Sequence, residues 1–272
     1  MSKAGSIAFV CPRFSEEGTV GGAETLLKNL ALRAAAAGRR VTFLTTCAQS
    51  HFTWDNTLPP GKKRVGPLEV EYFPVDTGRD LETFIRVQDT ISRRGQFTPE
   101  DEEAWMKNNV NSRALYDHLR EHGDEYDRIV MGPYLFGLVY YASLIHPEKT
   151  LLVPCLHDEP FAYLQIMHRM FESVRGFMFN TEPERDLARS LFNIPENKCS
   201  VVGMGIDPFE ADGRALAARR GIDKPYVLYS GRREPLKGTP LLCDYLHAFR
   251  ERTGRDIRLV FTGSGPIEAP PG

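Results

Sequence analysis

An α/β fold built on a doubly wound parallel sheet, followed by the opening of a second domain of the same kind, is the class this sequence predicts. Three observations carry it. Short apolar runs of strand character alternate with segments of helical spacing almost from end to end. The 272 residues are 42% hydrophobic and 26% charged, an ordinary globular composition with room for two domains or one large one. After residue 224 the alternation restarts with a fresh strand, turn and helix.

Residues 7–11 form the first predicted strand and 41–46 the second. Between them Leu26, Leu27, Leu30, Ala31 and Ala34 keep helical spacing, and Gly38 offers a C-terminal stop. Further strands are expected at 68–73, 128–131, 150–155, 177–180 and 199–202, with a helix over 135–144. Thr181-Glu182-Pro183-Glu184 has the form of a capping box, Thr181 capping a helix through Leu191 and Glu184 reaching back to it. Two stretches interrupt the alternation. Residues 49–67 are polar, contain Pro59, Pro60 and Gly61, and carry the basic cluster Lys62-Lys63-Arg64, so they read as a solvent-facing loop. Residues 80–122 read as two long polar helices broken around 95–99. Either insertion could shape a second substrate's pocket.

Residues 203–208 read as a hinge and the polar stretch to Lys224 as a linker helix. The predicted domains are therefore 1–205, a linker at 206–224, and a second domain beginning at 225–272. A single β-α-β unit cannot bury both faces of its sheet, so the second domain is expected to be incomplete. Its first turn, Gly231-Arg232-Arg233-Glu234-Pro235-Leu236-Lys237-Gly238, lies between an apolar run and the helical pattern of Leu241, Leu242, Tyr245, Leu246 and Phe249. A glycine-bearing strand-to-helix turn exposes backbone N–H groups at the positive end of a helix dipole. Arg232 and Lys237 at its two ends add the full charges that a diphosphate needs. The alternative is a solvated basic turn.

A formal charge of −2 gives no general reason to expect nucleic acid or anionic membrane as partner. No run approaches ~18 consecutive apolar residues. The five cysteines are scattered without zinc or redox spacing, and no His/Cys/Asp/Glu cluster has metal-ligand spacing, so no metal is expected. The cytosol is the default compartment, with a peripheral position at the inner membrane face as the other possibility. Lys62, Lys63, Arg64, Arg93 and Arg94 could steer an anionic lipid, although charge runs are usually just solvated.

Five segments, in order, resemble the retaining, nucleotide-sugar-dependent glycosyltransferases of family 4, which have the two-domain GT-B architecture. They are Gly21-Gly22-Ala23-Glu24 after the first strand, Leu156-His157-Asp158 after the fifth, Asn180-Thr181 with its capped helix, 202–207, and the turn 231–238. The resemblance implies GT-B-like, Rossmann-like domains, with the acceptor on the N-terminal one and a nucleotide-sugar donor on the second. It implies that Gly21 and Gly22 approach the donor diphosphate along with Arg232, Lys237 and Gly238. It also implies that His157 sits beside the transferring sugar. Catalysis would then rest on His157, Arg232 and Lys237, with the two cations stabilising the departing phosphate. Retention is generally attributed in this family to front-side attack, a donor phosphate oxygen helping to remove the acceptor's proton. Asp158 and Glu159 could contact acceptor hydroxyls of a glycan, glycolipid or small molecule, or could cap a helix. The nucleotide sugar is a substrate, so no cofactor is expected. Family members continue beyond this chain into a paired-glutamate motif with no counterpart here, which implies a fragment. Two other readings stay open: a nucleotide-sugar epimerase of the same architecture, and a non-catalytic binding or assembly module completed by a partner chain.

Overall fold

The computed structural model describes residues 5–18 and 20–266, so the closing Pro270, Pro271 and Gly272 lie outside the described residues. The chain divides into two compact units, Met1–Gly205 and Ile206–Gly272.

The first unit runs β1 (Ser6–Val10), α1 (Gly22–Ala36), β2 (Arg40–Thr46), β3 (Gly61–Val65), β4 (Leu68–Phe73), α2 (Leu81–Ser92), α3 (Pro99–Lys107) and α4 (Arg113–His122). It continues through β5 (Arg128–Met131), α5 (Gly137–Ser143), β6 (Thr150–Leu152), α6 (Gln165–Ser173), β7 (Gly176–Phe179), α7 (Glu182–Phe192) and β8 (Cys199–Val201). Among the described residues these strands make one sheet in the order β3-β4-β2-β1-β5-β6-β7-β8. Every pairing is parallel except β3 with β4. This is the predicted α/β class with a parallel sheet.

Alternation along the strands sorts the core into two layers. Phe9, Phe43, Val70, Val130 and Val153 face α1 through Leu26, Leu27 and Ala31. Ala8, Val10, Leu44, Ile129, Met131 and Leu152 belong to the layer packed with α2 to α7. In that second layer Phe171 of α6 stacks on Phe177 of β7 at 5.5 Å and on Phe192 of α7 at 4.0 Å.

Three elements differ from the sequence reading. The basic cluster at 62–64 is an antiparallel edge strand, not a loop. In β3 Lys62 sits opposite Glu71 and Arg64 opposite Glu69, and Lys62 Nζ lies 3.6 Å and 3.8 Å from the carboxylates of Glu71 and Glu69. Lys63 Nζ donates to both oxygens of Glu16 at 2.6 and 2.8 Å. Opposite charges across the pair stabilise it modestly, and lysines on an edge discourage a further strand from adding. The insertion at 80–122 holds three helices, because a second break falls at 108–112. There the Asn111 amide donates to the carbonyls of Met106, Lys107 and Asn109 at 3.2, 2.9 and 3.0 Å, and Ser112 caps α4 by accepting from Leu115 N. Finally, β6 ends at Leu152, three residues short of Cys155.

The second unit contains α8 (Gly213–Arg220), β9 (Tyr226–Ser230), α9 (Thr239–Thr253) and β10 (Arg258–Thr262), with β9 and β10 parallel. Residues 206–224 group with this unit. Arg258 fastens them, donating to Gly221 O at 3.1 Å and pairing with Asp223 at 2.7 Å. Leu228 of β9 and Leu241 and Tyr245 of α9 are exposed, as a lone β-α-β unit requires.

Phe171 is 1% exposed and sandwiched between two rings. Phe171→Ala is expected to cost about 3–5 kcal/mol, read as a lower urea midpoint with an unchanged slope.

Candidate functional site

A parallel sheet delivers the carboxyl ends of its strands to one edge, and ligands of open α/β sheets bind there. At that edge of the first unit lies an open cleft of about 720 Å³. Its walls come from the start of α1 (Gly22, Leu26), the loop after β6 (Cys155, His157, Asp158), the start of α7 (Asn180, Glu184, Leu187) and Met204. Three of the predicted site residues, Gly22, His157 and Asp158, are thereby brought together on one surface.

Glu184 holds this edge together. Half of the predicted capping box forms, with Thr181 Oγ1 accepting from Glu184 N at 3.2 Å. The return bond to Thr181 does not. The Glu184 carboxylate instead accepts from Leu156 N at 2.8 Å and from Asn180 N at 2.7 Å. Both amides lie just past the ends of β6 and β7, where the sheet no longer supplies carbonyls, and Glu184 is 7% exposed. Between them Cys155 adopts a left-handed backbone, φ 52°, and its sulfur accepts from the Asn180 amide at 3.7 Å. Burial, and then the charge of Glu184, push the Cys155 thiol up to about 11. This thiol is no ready nucleophile.

The loop after Leu156 is tethered along its length. His157 is exposed, and its carbonyl accepts from Glu159 N at 2.9 Å. Asp158 accepts from Tyr163 OH at 2.7 Å. Glu159 turns away from the cleft to accept from Tyr134 OH at 2.7 Å, and burial followed by that carboxylate raises the Tyr134 pKa. One Glu159 oxygen is thus committed to the scaffold. Glu159 also opens the short turn Pro160–Tyr163. Beyond it the buried Glu102 of α3 accepts from Gln165 N at 3.2 Å and Ile166 N at 2.8 Å, satisfying the first amides of α6. A stack of Phe84, Trp105 and Phe161, at 6.2 and 5.1 Å, backs the same loop. The insertion therefore supports the cleft from behind.

The two glycines of α1 serve different ends. Gly21 has an extended φ of 172°, but a Cβ there would lie 2.1 Å from Glu24 Oε2. Glu24 is buried and paired with Arg13, whose guanidinium donates to Gln49 O at 3.1 Å and lies 5.5 Å over Trp54. Gly21 makes room for that ion pair. Gly22 faces open space at the cleft wall, with backbone accessible. Glu24 is accordingly an ion-pair partner as well as a first-turn acid, and Arg13 is a residue that sequence reasoning missed. Its signal was a cation placed directly after the first strand.

In the second unit the turn 231–238 is organised by Arg233, not by its predicted neighbours. Arg233 N donates to Ser264 O at 2.8 Å, Nε to Gly265 O at 2.8 Å and an Nη to Gly263 O at 2.9 Å. The two loops touch so closely that a Cβ on Gly263 would lie 2.2 Å from Gly231 O, and one on Gly265 2.4 Å from Arg233 O. Arg232, half exposed, has a guanidinium nitrogen 3.6 Å from Glu234 Oε1, while its carbonyl accepts from Tyr229 OH at 2.7 Å. Lys237 is exposed at the end of the turn Pro235–Lys237. Gly238, φ 71°, is the N-cap of α9, and no side chain caps that helix. Its dipole and the amides of Thr239 and Leu241 face the amino end, whereas Pro240 has no N–H and Gly238 N donates to Pro235 O at 2.9 Å. Among the described residues, no group of three His, Cys, Asp or Glu side chains could hold a metal ion, and no helix is long and apolar enough to cross a membrane.

No family model and no curated protein matches the sequence. Solved structures do match its fold. The OtsA apo structure aligns with a TM-score of 0.62 at 16% identity, over 94% of this chain and 64% of that one. A UDP-forming α,α-trehalose-phosphate synthase from Burkholderia xenovorans in complex with glucose-6-phosphate gives 0.62 at 14% identity, over 94% and 65%. The α,α-trehalose-6-phosphate synthase of Burkholderia multivorans gives 0.57 at 12%, over 95% and 64%. The chain thus has a GT-B-like α/β fold and spans just under two thirds of the length of these proteins.

Two outcomes follow from the Glu184 bridge. Glu184→Ala leaves one buried and one part-buried amide without an acceptor and is expected to lower stability by about 3 kcal/mol in a denaturant titration. Alkylation of Cys155 by iodoacetamide, followed site by site by mass spectrometry, should rise with pH to a midpoint of about 11. At pH 8 it should be slower than that of an ordinary thiol by about two orders of magnitude.

Proposed function

We propose that this chain carries the acceptor-side domain and the opening of the donor domain of a retaining, nucleotide-sugar-dependent glycosyltransferase related to family 4. The observation that carries the reading is the turn 231–238, which bears Arg232 and Lys237 and leads into the uncapped amino end of α9. Breaking the sugar–phosphate bond leaves charge on the departing diphosphate. Groups that meet that charge better in the transition state than in the substrate accelerate the step. Arg232 grips phosphate oxygens in a fixed fork, and Lys237 follows them as a point charge. Gly238 lets the phosphate approach the backbone, and the Thr239 and Leu241 amides add the helix dipole. Arg233 is given a scaffold role instead, since its backbone N–H and two of its guanidinium nitrogens are bonded to the loop after β10.

In the first unit the cleft receives the hydroxyl acceptor. His157 and Asp158 present polar groups to it, and Gly22 lets a ligand approach the backbone. The reaction needs no cofactor, because the donor itself supplies the leaving group. The likeness to UDP-forming enzymes supports UDP-sugars as the first donors to try.

The test is thermal protection and turnover, measured on the protein extended at its C-terminus through the rest of the donor domain, with UDP, UDP-glucose, UDP-N-acetylglucosamine and GDP-mannose. At about 100 times its Kd a true donor stabilises the chain by about 2.7 kcal/mol. The Arg232→Ala/Lys237→Ala double variant should lose that protection and at least about 100-fold in turnover. Protection equal to that of the unaltered chain in the double variant would remove both cations from the mechanism.

A further inference from the structure

Resting on the reading just given, the geometry points to a carbohydrate ring as the acceptor, seated on Tyr163 and held by Asp158, with Arg94 fixing the platform. Tyr163 is 47% exposed, large for an aromatic ring, yet it is bound on two sides. Its hydroxyl donates to Asp158 at 2.7 Å. The Arg94 guanidinium lies 5.9 Å over the ring. Arg94 reaches it from the end of α2, where its left-handed backbone, φ 54°, closes the helix in a Schellman cap: Arg94 N donates to Ile91 O and Gly95 N to Thr90 O, both at 2.9 Å.

The tethers continue on both sides of the ring. Asp158 lines the cleft beside His157, and Phe161, two residues before Tyr163, stacks on the buried Trp105 at 5.1 Å. An exposed aromatic ring would ordinarily sample several rotamers. This one is positioned as a flat apolar surface next to a carboxylate whose second oxygen faces no hydrogen-bond donor among the described residues. Pyranose rings combine an apolar C–H face with equatorial hydroxyl donors, and these are the two features the pair meets. An acyl chain gains nothing from the Asp158 carboxylate, and a phosphate is repelled by it.

The test uses the full chain and saturation-transfer NMR with maltotriose, cellotriose and chitotriose as probes. At least one should bind, and Tyr163→Ala and Asp158→Asn should each weaken it about tenfold, whereas Tyr163→Phe should retain most of the affinity. Arg94→Gly should weaken binding about threefold, while thermal stability stays level or rises because glycine suits the left-handed backbone. A purely structural role would move stability and not affinity. If no probe binds, or if Tyr163→Ala binds as tightly as the unaltered chain, the proposal is overturned. Donor protection is read separately on the same variants and should be unchanged in Tyr163→Ala. Its absence from the unaltered chain would count against the transferase reading, while probe binding still decides the sugar platform.

Discussion

Two backbone amides are left over where β6 and β7 end, and one buried carboxylate takes both. That constraint shapes the first unit's functional edge. Glu184 belongs to the first turn of α7, so it can reach Asn180 N on its own strand exit and Leu156 N on the neighbouring one. Charge-assisted bonds to a carboxylate are stronger than neutral ones, and the Leu156 amide is buried while the Asn180 amide is partly so. Beside Leu156, Cys155 adopts a left-handed backbone, and His157 and Asp158 line the cleft. Glu159, Tyr134 and Glu102 then hold the rest of the loop. Buried acids, not apolar packing alone, set where the exposed polar groups stand.

Much of this arrangement was legible in the residues. Strand and helix periodicity identified the parallel sheet, and the position of His157 and Asp158 after the fifth predicted strand, with Gly22 in the segment after the first, fits their shared place at the cleft. What escaped depended on partners remote in sequence. Lys62 and Arg64 read as solvated charge because their cross-strand acids, Glu71 and Glu69, become neighbours only once a hairpin forms. The break before α4 uses buried Asn109, Asn111 and Ser112 where a glycine or proline would have announced it. The spacing of Thr181 and Glu184 suggested a reciprocal cap, but a tertiary acceptor role outcompeted the local one. Glu102 serves amides 63 and 64 residues away, a distance no local pattern records.

The turn of the second unit shows how adjacent residues of one type divide their work. Arg233 is bonded to three carbonyl groups of the loop after β10 and is part of the scaffold. Arg232 has a guanidinium nitrogen 3.6 Å from Glu234 Oε1 and is half exposed. An exposed pair of this kind contributes little to stability.

The contact between Gly231 and Gly263, and between Arg233 and Gly265, carries a consequence for how such a unit can diversify. Because backbone rests on backbone at 2.2 and 2.4 Å from where a Cβ would be, neither Gly263 nor Gly265 can gain a side chain without dislodging the turn it faces. The pair of hairpin-tight connections behaves as a single inherited part, to be kept whole in any chimera that borrows it.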